Sequence, residues 1–257
     1  MISLSINLLQ IRIFLSVLLR FSLVLFLLPV FRTHQVPTSV KAWSVWALSL
    51  MATPFIAPFV PPLPLEPLAL VGMIFSELIY ATFFALSMNI IFGAYHMAGQ
   101  VMSFQMGLGV AEVIDPQTGI RDVLLSQWLQ ILATLFFFAI DGHLVVVRTF
   151  MESFRAVPVG SFLPTPNILQ SVLLLSGRLF VIALKIAAPI MAAQLVLQAG
   201  FAVVTKFSPQ IHILMVSFPI TIGVGILFAL LSLSEWAGFT ANTLTELLKF
   251  FRAVGLP

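Results

Sequence analysis

No cysteine occurs anywhere in the 257 residues. That excludes disulfides, a thiol nucleophile and a thiolate-ligated metal site. Charge is nearly as scarce: Asp, Glu, Lys and Arg make up 8% of the chain, against about 25% in ordinary soluble domains. The 12 basic and 9 acidic residues are spread thinly, and no Lys/Arg cluster marks a nucleic-acid surface. His34, His96, His143 and His212 fall in four separate segments without ligand spacing, so no metal site is expected. No phosphate-binding loop and no glycine fingerprint after a strand is present, which argues against nucleotide hydrolysis. No nucleophile–base constellation is legible either. The chain reads as a non-enzyme without a cofactor. The first residues lack a basic region and run straight into a full-length apolar segment, so a cleaved signal peptide is not expected.

What fills the chain instead is apolar: 60% of residues are hydrophobic and the mean hydropathy is +1.13. This composition identifies an all-α integral membrane protein of several helices. A spanning helix needs about 20 apolar residues. Candidate spans are residues 11–31, 40–59, 68–104, 123–147, 168–204 and 212–236. Pro61-Pro62-Leu63-Pro64-Leu65-Glu66-Pro67 cannot be helical throughout and reads as an extended connector. The third run is too long for a bilayer and must tilt, bend or leave the membrane, with Gly93 and Gly99 as expected bend points. Arg148, Glu152 and Arg155 lie on one face of an amphipathic stretch, residues 148–157. The last two runs flank a polar turn, residues 205–210, as an antiparallel hairpin, and Pro189 and Pro219 should kink its arms. Three prolines mark residues 158–166 as a linker, dividing the chain into residues 1–157 and 167–257. The positive-inside rule fails. With the N-terminus outside, Arg32, Lys41, Arg121 and Lys206 on one side nearly balance Arg12, Arg148, Arg155, Lys249 and Arg252 on the other.

Five charges interrupt the apolar runs: Arg20, Glu77, Asp141, Arg178 and Lys185. Charges at bilayer depth face protein or water rather than lipid. One reading is an ion or proton relay through Glu77 and Asp141. The other, which is favoured, is structural pairing between helices or subunits, because three bases and two acids largely neutralise one another. Asp141 and His143 are two residues apart and do not share a helical face. Arg178 and Lys185, seven apart, do. Gly223 and Gly225, and Ala188 and Ala192, read as close-packing positions.

The most distinctive segment is Gly99–Asp122, GQVMSFQMGLGVAEVIDPQTGIRD. It is too glycine-rich for a good membrane helix and too apolar for a surface loop. Irregular backbone at membrane depth is tolerated only where protein buries it or where it lines a cavity. One reading is a re-entrant loop with structural glycines. The other is a deformable seal: Met102, Phe104, Met106 and Leu108 supply apolar bulk, Met adapts to irregular surfaces, and Gly107 and Gly109 let the backbone bend.

Gln100–Gly119, QVMSFQMGLGVAEVIDPQTG, resembles the signature of the FliR family of flagellar biosynthetic proteins. Leu19-Arg20, Pro29-Val30-Phe31, Val36-Pro37, Leu125-Ser126-Gln127, Asp141-Gly142-His143, Ser208-Pro209-Gln210-Ile211 and Phe218-Pro219 fit the same family, so the resemblance spans nearly the whole chain. Virulence-associated secretion homologues are related, but QMGLG and Asp-Gly-His look flagellar. The resemblance implies a gating subunit of the flagellar type III secretion export gate in the bacterial inner membrane, at the flagellar basal body. Residues 1–157 would be a FliP-like half and residues 167–257 a FliQ-like hairpin with a C-terminal tail. Implied partners are FliP-like and FliQ-like membrane subunits, FlhB-like and FlhA-like export proteins, unfolded flagellar substrates and lipid. The family's plug maps to residues 105–122. Its narrowest contacts would be Phe104, Gln105, Met106, Gly107, Leu108, Gly109 and Val110, with Asp115, Pro116 and Gly119 as the positioning turn. The rival from another class is a proton-coupled secondary transporter using Glu77 and Asp141. Such folds usually carry matched repeats, and here the halves differ in length and pattern. A second rival is an assembly scaffold with no sealing role.

Overall fold

The computed structural model describes residues 8–28, 37–108, 124–207 and 213–253, and every regular element among them is helical. In order these are α1 (Leu8–Leu27), α2 (Thr38–Ile56) continued by a 3-10 turn (Ala57–Phe59), α3 (Pro67–Gln105), α4 (Leu124–Ala139), α5 (Gly142–Ala156), α6 (Pro166–Phe207), α7 (Ile213–Leu231) and α8 (Leu233–Ala253). Among the described residues four helices are long and apolar enough to cross a membrane: Leu8–Leu27, Thr38–Phe59, Pro67–Gln105 and Ile168–Phe207. There are up to six if α4 with α5, and α7 with α8, each count as one bent span. The chain is an all-α integral membrane protein, as its composition indicates.

Two expected spans are broken. The run over residues 123–147 is not one helix. Asp141 takes the left-handed conformation, φ 56°, and its carbonyl accepts the N–H groups of Leu144 and Val145 to start α5. A non-glycine residue in that region cannot propagate an α-helix. The run over residues 212–236 ends at Ser232, where α7 and α8 meet with a bend of 55°. Helix α8 then absorbs most of the tail.

Helix α3 holds 39 residues, ~58 Å at 1.5 Å per residue, well beyond a ~30 Å hydrocarbon core. It is assigned as one helix through Gly93 and Gly99. These glycines serve close approach rather than a break. A Cβ on Gly99 would lie 2.5 Å from Ser126 Cα on α4, and one on Gly93 would lie 3.0 Å from Leu179 Cδ1 on α6. Pro189 lies inside α6 and Pro219 inside α7.

Contacts group the chain into two units. The first comprises Met1–Asn89, Asp141–Leu175 and Thr245–Pro257. Its core is aromatic: Phe21 meets Phe150 edge-on at 4.7 Å, and Phe84 stacks on Phe251 at 5.1 Å. The extended proline connector is pinned to α1, since Arg12 Nε donates to the Leu63 carbonyl at 2.7 Å and the Leu63 N–H donates back to the Arg12 carbonyl. The second unit comprises Ile90–Ile140 and Ser176–Leu244. There the Tyr95 hydroxyl lies 2.7 Å from both the Trp236 carbonyl and Thr240 Oγ1, and Trp236 Nε1 donates to the Ile186 carbonyl at 3.2 Å. Buried polar groups so paired fix the rotation of α8 against α3 and α6 within that unit. These spatial units follow contacts and cut across the long helices, whereas the division at residues 158–166 concerns related halves of the sequence.

Gly99→Ala should force the α3 and α4 backbones apart and destabilise the second unit by ~1–3 kcal/mol. Gly72→Ala, where a Cβ meets nothing, should be neutral. Thermal unfolding of the purified protein in detergent checks the contrast.

Candidate functional site

The end of α3 is where a helix gives way to the glycine- and methionine-rich segment. The last carbonyls of a helix have no intrahelical donor, and here backbone and side chains supply them. The Leu108 N–H donates to the Ser103 carbonyl at 2.9 Å and the Gly107 N–H to the Phe104 carbonyl at 3.1 Å, with Gly107 at φ 81°. That paired pattern around a left-handed glycine is a Schellman cap. It explains why glycine stands at position 107: it ends the helix and turns the chain at no Cβ penalty.

Helical geometry then sorts the apolar side chains. Met102 and Met106 are one turn apart and both buried, 0% and 2% exposed, while Phe104 lies on the opposite face and is 64% exposed. The Met106 side chain packs onto Gly225 of α7, where a Cβ would come within 2.6 Å of Met106 Sδ. Gly107 faces the Phe218 ring, where a Cβ would lie 3.1 Å from Cε1. The Met106 carbonyl accepts the Thr221 hydroxyl at 3.2 Å. That hydroxyl also lies 3.0 Å from the Phe218 carbonyl, so one proton is shared between two acceptors. Gln194 of α6, fully buried, donates from Nε2 to the Thr221 carbonyl at 2.7 Å. Gln105 and Gln198 meet at 3.3 Å on the surface. Gly109, Val110, Asp115, Pro116 and Gly119 lie outside the described residues, as does the rest of 109–123.

Of the five charges singled out in the sequence, two meet. Arg20 of α1 and Glu77 of α3 are both 0% exposed and form a bidentate pair, Nε to Oε2 at 2.6 Å and Nη2 to Oε1 at 2.7 Å. Arg20 Nη1 donates to the Val157 carbonyl at 2.8 Å, and the Gly160 N–H donates to Glu77 Oε1 at 2.8 Å. The guanidinium lies over the Tyr80 and Phe154 rings, 4.6 and 4.8 Å from their centroids. The pair thus ties α1, α3, the end of α5 and the 157–160 connector together within the first unit. Gly160, φ 83°, lets the connector approach: a Cβ there would lie 2.9 Å from Met73 Cγ. Glu77 is buried, and three donors fill most of its roughly four acceptor sites. Asp141, Arg178 and Lys185 are exposed on the single chain. Arg148 pairs with Glu152 at 3.2 Å on the surface, and Arg155 lies over Phe59 instead.

Neither Thr221 nor Gln194 stands out in the sequence. For Gln194 a signal was available: an amide in the middle of the apolar run over residues 168–204 must find a partner.

Residues 11–247 match the family described as bacterial export proteins, family 1. The chain is 31% identical over 204 residues to the flagellar biosynthetic protein FliR of Pectobacterium carotovorum subsp. carotovorum, covering 77% of this chain and 76% of the relative. The chain belongs to the FliR family. It is also 28% identical over 224 residues to FliR of Buchnera aphidicola subsp. Schizaphis graminum, with 86% of this chain and 85% of the relative covered. Against FliR of Aquifex aeolicus (strain VF5) it is 28% identical over 232 residues, with 88% and 87% covered. The family match takes in the whole of the second unit, most of the first and the whole of the glycine- and methionine-rich segment.

Removing one partner of the buried pair strands the other charge. Arg20→Met or Glu77→Leu alone should destabilise by ~3–5 kcal/mol, and the double substitution by less than either single one. Denaturation of the detergent-purified protein measures all three.

Proposed function

We propose that this chain is a gating subunit of a flagellar type III secretion export apparatus in the bacterial inner membrane at the flagellar basal body. In this reading it forms part of the channel for unfolded flagellar proteins and seals it with residues 104–110, placed by the turn at Asp115, Pro116 and Gly119. FliP-like and FliQ-like subunits surround it, with residues 1–157 taking a FliP-like and residues 167–257 a FliQ-like role, and FlhB-like and FlhA-like proteins complete the export machinery. The observation that carries the reading is the end of α3. A 39-residue helix terminates in a glycine cap, buries Met106 and leaves Phe104 64% exposed beside the segment that follows.

Phe104 is then the apolar group that meets the seal. Full burial of such a side chain contributes on the order of 2–3 kcal/mol. That is enough to exclude ions at rest and little enough for an inserting polypeptide to displace. Asp141, Arg178 and Lys185, exposed on the isolated chain, become subunit contacts. Lys185 in particular projects from the middle of an apolar 40-residue span, so a neighbouring helix that supplies a carboxylate or a carbonyl covers it.

In cells carrying the assembled gate, Phe104→Ala and deletion of residues 106–110 should each raise passive ion leak several-fold. Leak unchanged in both, with the gate still assembled, would sink the seal assignment.

A further inference from the structure

We infer that Thr221, Gln194 and Gly225 form an anchor that holds the end of α3 in its resting position, and that releasing this anchor is a step in opening. The inference rests on the seal reading for residues 104–110 and adds the part that positions it. Met106 is the last residue before the glycine cap, and its carbonyl is one of the orphan acceptors of a helix end. In apolar surroundings an unpaired carbonyl is unfavourable, and among the described residues Thr221 Oγ1 is the side-chain donor that meets it. The Met106 side chain occupies the surface of α7 that Gly225 leaves open. The glycine at position 225 therefore serves as a seat for a flexible thioether. Gln194 holds the other side of the seat: its Nε2 fixes the Thr221 carbonyl.

Three features make the anchor releasable. The Thr221 hydroxyl already shares its proton with the Phe218 carbonyl one turn back, so it stays satisfied when Met106 leaves. This is the usual back-bond of a helical threonine, and only the departing carbonyl needs a new donor. The Met106 side chain is unbranched and withdraws without forcing backbone apart. Gly107, at φ 81° directly beyond the anchor, is the residue best able to absorb a change of chain direction. Gln194 Oε1 is buried and unpartnered, so the seat keeps one acceptor without a donor.

The absence of cysteine makes the test specific. The double substitution Met106→Cys with Gly225→Cys places a sulfur near the position of Met106 Cγ, which lies 2.7 Å from a Cβ on residue 225. That is close to the geometry of a disulfide. In the assembled gate, oxidant should crosslink the pair, and the oxidised variant should export several-fold less substrate and leak less than the same variant under reductant. A pair that does not crosslink, or a crosslinked gate that exports at the unlocked rate, would overturn the anchor. Thr221→Val should raise resting leak several-fold with assembly retained, and Thr221→Ser should restore the wild-type leak. Leak from Phe104→Ala but none from an assembled Thr221→Val gate refutes the anchor and leaves the seal standing. A tight Phe104→Ala gate whose export the crosslink still blocks refutes the seal and supports the anchor. Should Thr221→Val fail to assemble, the crosslink alone decides.

Discussion

A guanidinium and a carboxylate enclosed where no water reaches them can exist only as a satisfied set. Arg20 and Glu77 meet that requirement with two mutual hydrogen bonds, a backbone carbonyl and a backbone N–H. The desolvation of both ions offsets much of their attraction. The partners come from α1, α3, the end of α5 and the following connector at once, and the aromatic packing of Phe21, Phe84, Phe150 and Phe154 fits around them.

The same demand for internal satisfaction governs the places where helices stop. Asp141, Gly107 and Gly160 all adopt positive φ, and each marks a change of direction. At Asp141 the carbonyl opens the next helix. At Gly160 the N–H closes the charge cluster. At Gly107 the N–H and its neighbour cap α3. A chain this poor in charge has few side chains with which to cap helix ends, so backbone conformation does the work. Beyond its backbone cap, the end of α3 meets its neighbours through the Thr221 hydroxyl and the Met106 thioether.

Helix α3 approaches α6 and α4 closely at Gly93 and Gly99, and its end carries one buried methionine and one exposed phenylalanine. Met106 and Phe104 divide in this way because residues two apart on a helix differ by about 200° in direction, so they cannot face the same way.

Much of this was legible in the residues. Hydropathy and proline placement determined the helical class and the extended connector, and placed α3 within one residue of its ends, because the connector's prolines stop a helix on one side and the glycine-rich stretch stops it on the other. Of the charges in apolar runs, Arg20 and Glu77 are the ones that meet in a buried pair, and the QMGLG stretch announced the family. What the tertiary structure decided was pairing and direction. Arg20 and Glu77 lie 57 positions apart, and no local pattern says that they meet each other rather than Asp141 or Lys185. Gly93 and Gly99 read as bend points; the helix runs on through both, and only the positions of Leu179 and Ser126 show that they also admit close neighbours. The break at Asp141 was hidden inside a continuous apolar run because hydropathy does not see φ. Gln194 and Thr221 gained meaning only when the end of α3 came to rest on them, since a hydrogen bond between segments is a property of their meeting and not of either one alone.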